Sequence, residues 1–304
     1  MTDNSYREFG FLQQPIKGDF LGIKILPLSD HQERLNWIEE NINRDGFFYP
    51  PQQATYKVDP ITNKNAEKIE KSEKPASIFK LLPSHKITVT NPTNDLNTTN
   101  SDDVLVINVL AYLFGTRLQF ADWKFDARVP IKYTNDIVIM NSALFHFLEF
   151  VYDWWCDLTP INQLKYINIL YVFTRTRSLQ WKWEKFAHQY MVFDAIFNLH
   201  KELNSIQKNV SHRERFDILL DKYEMPNKEE LVNQIYSTRN NLFHEAIWGE
   251  NLFGFGPLDS NIQSLPLYLS ALNSRLICSI TDYKNEYSTS KWWTRQQFPF
   301  DRPK

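Results

Sequence analysis

The segment Ser237–Ala246 (STRNNLFHEA) sets an arginine, an amide and an imidazole within six residues: Arg239, Asn240 and His244. On an α-helix, residues 240 and 244 share a face and Arg239 projects from its shoulder, so the three groups converge along one stripe. A guanidinium holds phosphate through paired hydrogen bonds, and an imidazole moves protons near neutral pH. Arg239 suits the binding of a phosphate group, and His244 the part of an acid or base. Two plainer roles compete. His244 is also placed to cap a helix C-terminus, and Arg239 to pair with Asp194 or Glu245.

The elements that must position these groups follow from hydropathy. Leu231, Ile235, Thr238 and Leu242, with Ala246, make an apolar face separate from the polar stripe, within a helix expected from about residue 228 to 247. Asn227 with Glu230, and Ser211 with Glu214, are spaced as capping boxes that start successive helices. Upstream, Ser142–Cys156, Ile161–Thr174 and Leu179–Leu203 also read as helices, the last with a stripe of Trp183, Phe186, Tyr190, Phe193 and Phe197. A final helix is expected over Asn261–Tyr287. Before about residue 135 the chain is richer in proline, with β-compatible runs at Phe20–Leu26 and Lys86–Thr90 and one helix expected over Val104–Phe120. Thr62–Ser77 and Asn91–Asp103 are polar and read as exposed loops. The fold class expected is α+β: a mixed, β-containing accessory domain over residues 1–135, then an all-α bundle over 136–304.

Composition limits the alternatives. The 304 residues carry 34 Lys plus Arg against 36 Asp plus Glu, a net charge of −2, which disfavours holding nucleic acid by a broad basic face. Two cysteines, Cys156 and Cys278, make neither a disulfide framework nor a four-ligand zinc site and suit a reducing, cytoplasmic setting. No secretory signal is visible at the N-terminus, and the longest apolar run, Val104–Phe114, is too short to span a membrane. Phosphate-binding loops, GxSxG, HExxH and CxxC are absent; the lone GxG, Gly254–Gly256, reads as a turn. Glu184 and His188 have a spacing open to two metal ligands, but no further ligand lies near, so no metal or cofactor is expected.

The segment STRNNLFHEA resembles the signature of HEPN domains, a helical superfamily whose Arg-x(4–6)-His motif often marks a metal-independent ribonuclease. The likeness extends, in order and kind, over residues 140–285. Trp183–Ala195 looks like the first core helix of the ApeA-like subset, which tends to place an acidic residue where this chain has Asp194. Ser211–Tyr223, the break at Pro226 and the Arg239–His244 helix follow. Phe11–Leu26 and Val109–Phe120 loosely resemble the accessory domain that precedes it. The resemblance implies endoribonuclease chemistry at Arg239, His244, Asn240 and Asp194: attack by the RNA 2′-hydroxyl, with Arg239 clamping the phosphate, His244 as acid or base, Asn240 orienting His244 or the phosphate, and Asp194 positioning Arg239 or raising the basicity of His244. It also implies a homodimer or higher even oligomer whose paired motifs supply a second imidazole, and a defence or toxin-like role with the N-terminal domain sensing a phage or cellular trigger. Arg175, Arg177, Lys182 and Lys185 on one side, and His212, Arg213 and Arg215 on the other, are candidates to line the RNA path. The alternative is an inactive HEPN-like module for dimerisation or for binding RNA or nucleotides.

Overall fold

The computed structural model describes residues 6–58, 65–94, 100–132, 137–249, 260–294 and 296–303. In chain order these form β1 (Arg7–Gly10), β2 (Gly18–Phe20), β3 (Ile23–Pro27), α1 (His31–Asn41), β4 (Phe47–Phe48), β5 (Gln52–Val58), β6 (Asn65–Pro75), β7 (Ile78–Phe79) and β8 (His85–Val89). Then come α2 (Asp102–Phe114), β9 (Gln119–Phe120), β10 (Phe125–Asp126), β11 (Val129–Pro130) and β12 (Ile137–Ile139). The helical part follows: α3 (Asn141–Cys156), α4 (Pro160–Arg175), α5 (Lys182–Leu203), α6 (His212–Lys222), α7 (Glu229–Glu245), α8 (Ser260–Ser279) and a closing strand, β13 (Phe298–Phe300). The class is mixed, with about half the chain helical and only small sheets, consistent with α+β.

The largest sheet is antiparallel, in the order β2-β3-β8-β1-β9, with Ile23 opposite Val89 and Ile25 opposite Ile87. Phe20–Leu26 is therefore not one strand. It is a hairpin, and Leu21 and Gly22 both take positive φ in its two-residue turn, matching the right-handed twist of the strands. The Lys/Glu-rich stretch is also more ordered than a loop. Its residues 65–75 form β6, paired with β5 as Lys57 to Glu67 and Thr55 to Glu70. A two-stranded ladder satisfies its backbone through main-chain hydrogen bonds, so a polar sequence does not forbid it.

Helix α2 lies within the molecule and is buried on nearly every side, from Asp102 to Leu113. Its apolar residues belong to one large core that also takes Phe9, Ile23, Ile25 and Ile87 from the sheet and residues of α3 to α8, so the core continues across residue 135. Tyr112 ties α2 to α8 by donating its hydroxyl hydrogen bond to the Ser274 carbonyl at 2.7 Å. The helix ends earlier than expected, because Gly115 takes the left-handed conformation that closes it. At its start, Asp102 and Asp103 are buried rather than loop residues. The Asp102 carboxylate accepts from the Thr93 and Asn94 amides and the Tyr152 hydroxyl at 2.6–3.1 Å. A smaller cluster of Phe11, Ile38, Phe48, Phe79, Leu81, Phe125, Val129 and Ile131 packs beside α1.

The capping box of α6 forms as expected: Ser211 accepts from the Glu214 amide, and the Glu214 carboxylate accepts from the Ser211 amide at 2.9 Å. The second box does not. Asn227 lies one residue too early, and Lys228 precedes α7 with no side-chain cap. Helix α7 ends at Glu245, where Ala246 turns into the left-handed region, and α8 ends at Ser279 rather than Tyr287. The Gly254–Gly256 segment lies outside the described residues.

Candidate functional site

Helices α6 and α7 form a hairpin, so the first residue of α6 stands beside the last turn of α7. Leu231, Val232, Ile235, Thr238 and Leu242 bury the inner face of α7, as the hydropathy requires, and leave Arg239 and Asn240 half-buried at its edge and His244 exposed. A shallow pocket of about 490 Å³ opens there, lined by Ser211, His212, Tyr236, Arg239, Asn240, Asn241, His244 and Glu245.

Arg239 is the centre of the arrangement. Its Nη1 donates to Asn240 Oδ1 at 3.0 Å and faces His244 Nε2 at 3.0 Å, while Nη2 faces His212 Nε2 at 3.1 Å. Guanidinium is a donor only, so each Nε2 faces it as an acceptor in this arrangement. Tyr190 and Phe243 flank the cation, with ring centroids 5.7 and 5.5 Å from its central carbon. No carboxylate pairs with Arg239 among the described residues, so the ion pair with Asp194 or Glu245 does not form. Its positive charge remains available to an anion.

Asp194, on α5, lies one step behind this fork. Its Oδ1 accepts from Arg215 Nη1 at 2.8 Å and stands 3.4 Å from His212 Nδ1. With Nε2 accepting from Arg239, the ring proton of His212 sits on Nδ1 and points at this carboxylate. Burial lowers the pKa of His212, against the raising effect of Asp194; Arg215 and Arg239 lower it further. Tyr190, whose hydroxyl is 3.5 Å from His212 Nδ1, has its pKa pushed up by burial and by Asp194.

The remaining candidates are placed elsewhere. Arg213 is held by Asp217 and Asn233, both at 2.7 Å. Arg175 pairs with Asp126 at 2.6 Å, and Arg177 is buried with its guanidinium over Phe173. Lys182 and Lys185 open α5 and join no ion pair among the described residues; burial and the nearby cations Lys182 and Arg128 lower the pKa of Lys185 to about 8. None of these lines the pocket. The Glu184–His188 pair is a helix-internal contact, with His188 Nδ1 2.9 Å from the Glu184 carbonyl oxygen and Nε2 3.4 Å from Arg175. Among the described residues no three His, Cys, Asp or Glu side chains are grouped to hold a metal ion, and no helix is long and apolar enough to cross a membrane.

His212 is the residue whose importance the sequence understates. Spacing along the chain gives it only as one basic residue at a helix start, because its partner Arg239 is 27 residues away. The signal lay in the Ser211–Glu214 box, which fixes His212 as the first residue of a helix, and in the short break that turns α7 back beside it. Comparison with protein-family models, with curated proteins and with solved structures returned no match to this chain.

Proposed function

We propose that this protein is an endoribonuclease that cleaves RNA by 2′-hydroxyl attack, without a metal ion, at the pocket around Arg239 and His244. The observation that carries the proposal is the fork of Arg239: a guanidinium without a carboxylate partner, held in an open pocket between two imidazoles. In a substrate complex the fork turns from the rings to the non-bridging oxygens of the scissile phosphate, which accept from it more strongly than a neutral nitrogen does. That movement frees the Nε2 lone pairs for proton transfer, and Asn240 holds the inner edge of the guanidinium. The products are a 2′,3′-cyclic phosphate and a 5′-hydroxyl. The resemblance to HEPN ribonucleases supports the same chemistry. It extends the proposal to a cytoplasmic, dimeric effector of defence or toxin type whose N-terminal part responds to a phage or cellular trigger.

The test is incubation of purified protein with mixed-sequence RNA in EDTA, with Arg239→Ala and His244→Ala in parallel. The expected result is cleavage by the wild type that both variants lose, with cyclic-phosphate ends. An inert wild type, together with variants that match it in cells, sinks the proposal. It would favour the alternative of a module that binds RNA or nucleotides without cutting them.

A further inference from the structure

The geometry points to His212 as a second catalytic histidine, the general base for the 2′-hydroxyl, with Asp194 as the positioning residue behind it. The assignment rests on the ribonuclease proposal and adds to it that a single chain carries both imidazoles. His212 lines the same pocket as His244 and shares the same guanidinium, Nη2 to one ring and Nη1 to the other. A phosphate drawn onto Arg239 is therefore flanked by an imidazole on each side, as in-line displacement requires of a base and an acid.

The two rings differ in their surroundings, and the difference assigns the roles. His212 is backed by the Asp194 carboxylate at Nδ1, which fixes its tautomer and leaves the Nε2 lone pair toward the pocket. It stands at the first residue of α6, where the positive end of the helix dipole favours a neutral ring. The groups facing it are Asp194 and Tyr190 from α5, Arg215 from α6 and Arg239 from α7. A neutral, buttressed imidazole is a base at rest. His244 is exposed in the last turn of α7, beside solvent that can supply its proton.

The step balances within these groups. The 2′-hydroxyl proton passes to His212 Nε2 as O2′ bonds to phosphorus. The P–O5′ bond then breaks, and a proton from the imidazolium form of His244 goes to O5′. Exchange with water returns His212 to neutral and His244 to its acid form.

The deciding experiment is single-turnover cleavage of a mixed-sequence single-stranded RNA across pH, repeated with a substrate whose scissile 5′-oxygen is replaced by sulfur. A thiolate leaves without an acid. His244→Ala is therefore expected to recover on the sulfur substrate, whereas His212→Gln, slowed about 10²- to 10⁴-fold on both, is not. The wild-type rate is expected to fall as pH drops and His212 takes a proton, and this acidic limb disappears in His212→Gln. Asp194→Asn keeps the limb but displaces it, and added imidazole restores His212→Ala. Wild-type cleavage with His212→Gln unchanged, or rescued by sulfur, overturns this assignment alone; an inert wild type overturns it together with the ribonuclease proposal. Should the His212 variants fail to fold, Asp194→Asn decides: an acidic limb identical to the wild type overturns the assignment.

Discussion

Two regions of the molecule use arginine and histidine in opposite ways. Where the N-terminal part meets the end of α4, Arg117 and Arg175 close on the two oxygens of Asp126, each at 2.6 Å, and the neighbouring Arg128 donates to the Ser178 and Leu179 carbonyls. His85 is enclosed likewise: its Nε2 accepts from the Ile16 amide at 3.1 Å and its Nδ1 meets Ser84 Oγ at 2.8 Å. Both oxygens of Asp126 are paired with arginines, and both ring nitrogens of His85 have partners. At the α6–α7 pocket, Arg239 has no carboxylate partner among the described residues and two imidazoles face an opening. The residue types are the same. What differs is whether a carboxylate or the main chain holds the arginine, and that separates a fastening from a guanidinium left open toward a pocket.

The contrast breaks most visibly at Arg239. Arg239→Ala should lower RNA cleavage about 10³-fold while moving the melting temperature little, since no buried ion pair is lost. Arg239→Lys should recover little of it, because an ammonium cannot fork between two acceptors.

Acid should act first on the enclosed region. Burial, and then His31, lower the pKa of His85 to about 3, against a raising hydrogen bond to the Gln14 backbone. A histidine with its folded pKa below the unfolded value stabilises the fold above about pH 6.5 and loses that contribution as pH falls from there toward 3. Urea midpoints measured between pH 7 and 4 should fall by the equivalent of a few kcal/mol. His85→Gln should be less stable at pH 7 and flatter over this range. A wild-type midpoint that does not move would remove the distinction drawn between His85 and the pocket imidazoles.

A smaller effect is expected at Asp126. Burial raises its pKa, but hydrogen bonds from Arg175 and Arg117 outweigh this and hold it at about 2. That contribution is present above about pH 4 and lost as pH falls toward 2. Asp126→Asn should cost about 1–2 kcal/mol, a modest figure because the carboxylate is partly solvated. RNA cleavage per folded molecule should not change. The smallest effect expected is that of salt: a narrow pocket meeting one or two phosphates predicts a log–log slope of only about −0.7 to −1.4 for RNA binding. A much steeper slope would mean a second cationic track, with Lys182 and Lys185 the first places to look.

The helices were legible because their apolar residues recur at helical spacing. Phe186, Tyr190, Phe193 and Phe197 are buried together as their stripe demands, and the Ser211–Glu214 box sits at the helix start it marks. The strands were less so. Leu21–Gly22 interrupts an apolar run without lowering its hydropathy, and β6 has no apolar face to announce it. The chemistry was half legible. Arg239, Asn240 and His244 meet because they are close along one helix, which spacing encodes. His212 and Asp194 join them through the packing of α6 and α5, which spacing along the chain does not encode.

The hairpin of α6 and α7 also has a mechanical consequence. Helix α6 is 11 residues long, about 16 Å, and its far end turns through Glu224, Met225 and Pro226 into α7. That turn is fastened from outside the hairpin: the buried Trp292 donates its indole hydrogen bond to the Pro226 carbonyl at 3.1 Å. Sliding α6 along α7 by a single residue displaces His212 by about 1.5 Å, enough to break its contact with Arg239. The C-terminal segment therefore fixes the end of the hairpin that lies opposite the gap between the two imidazoles.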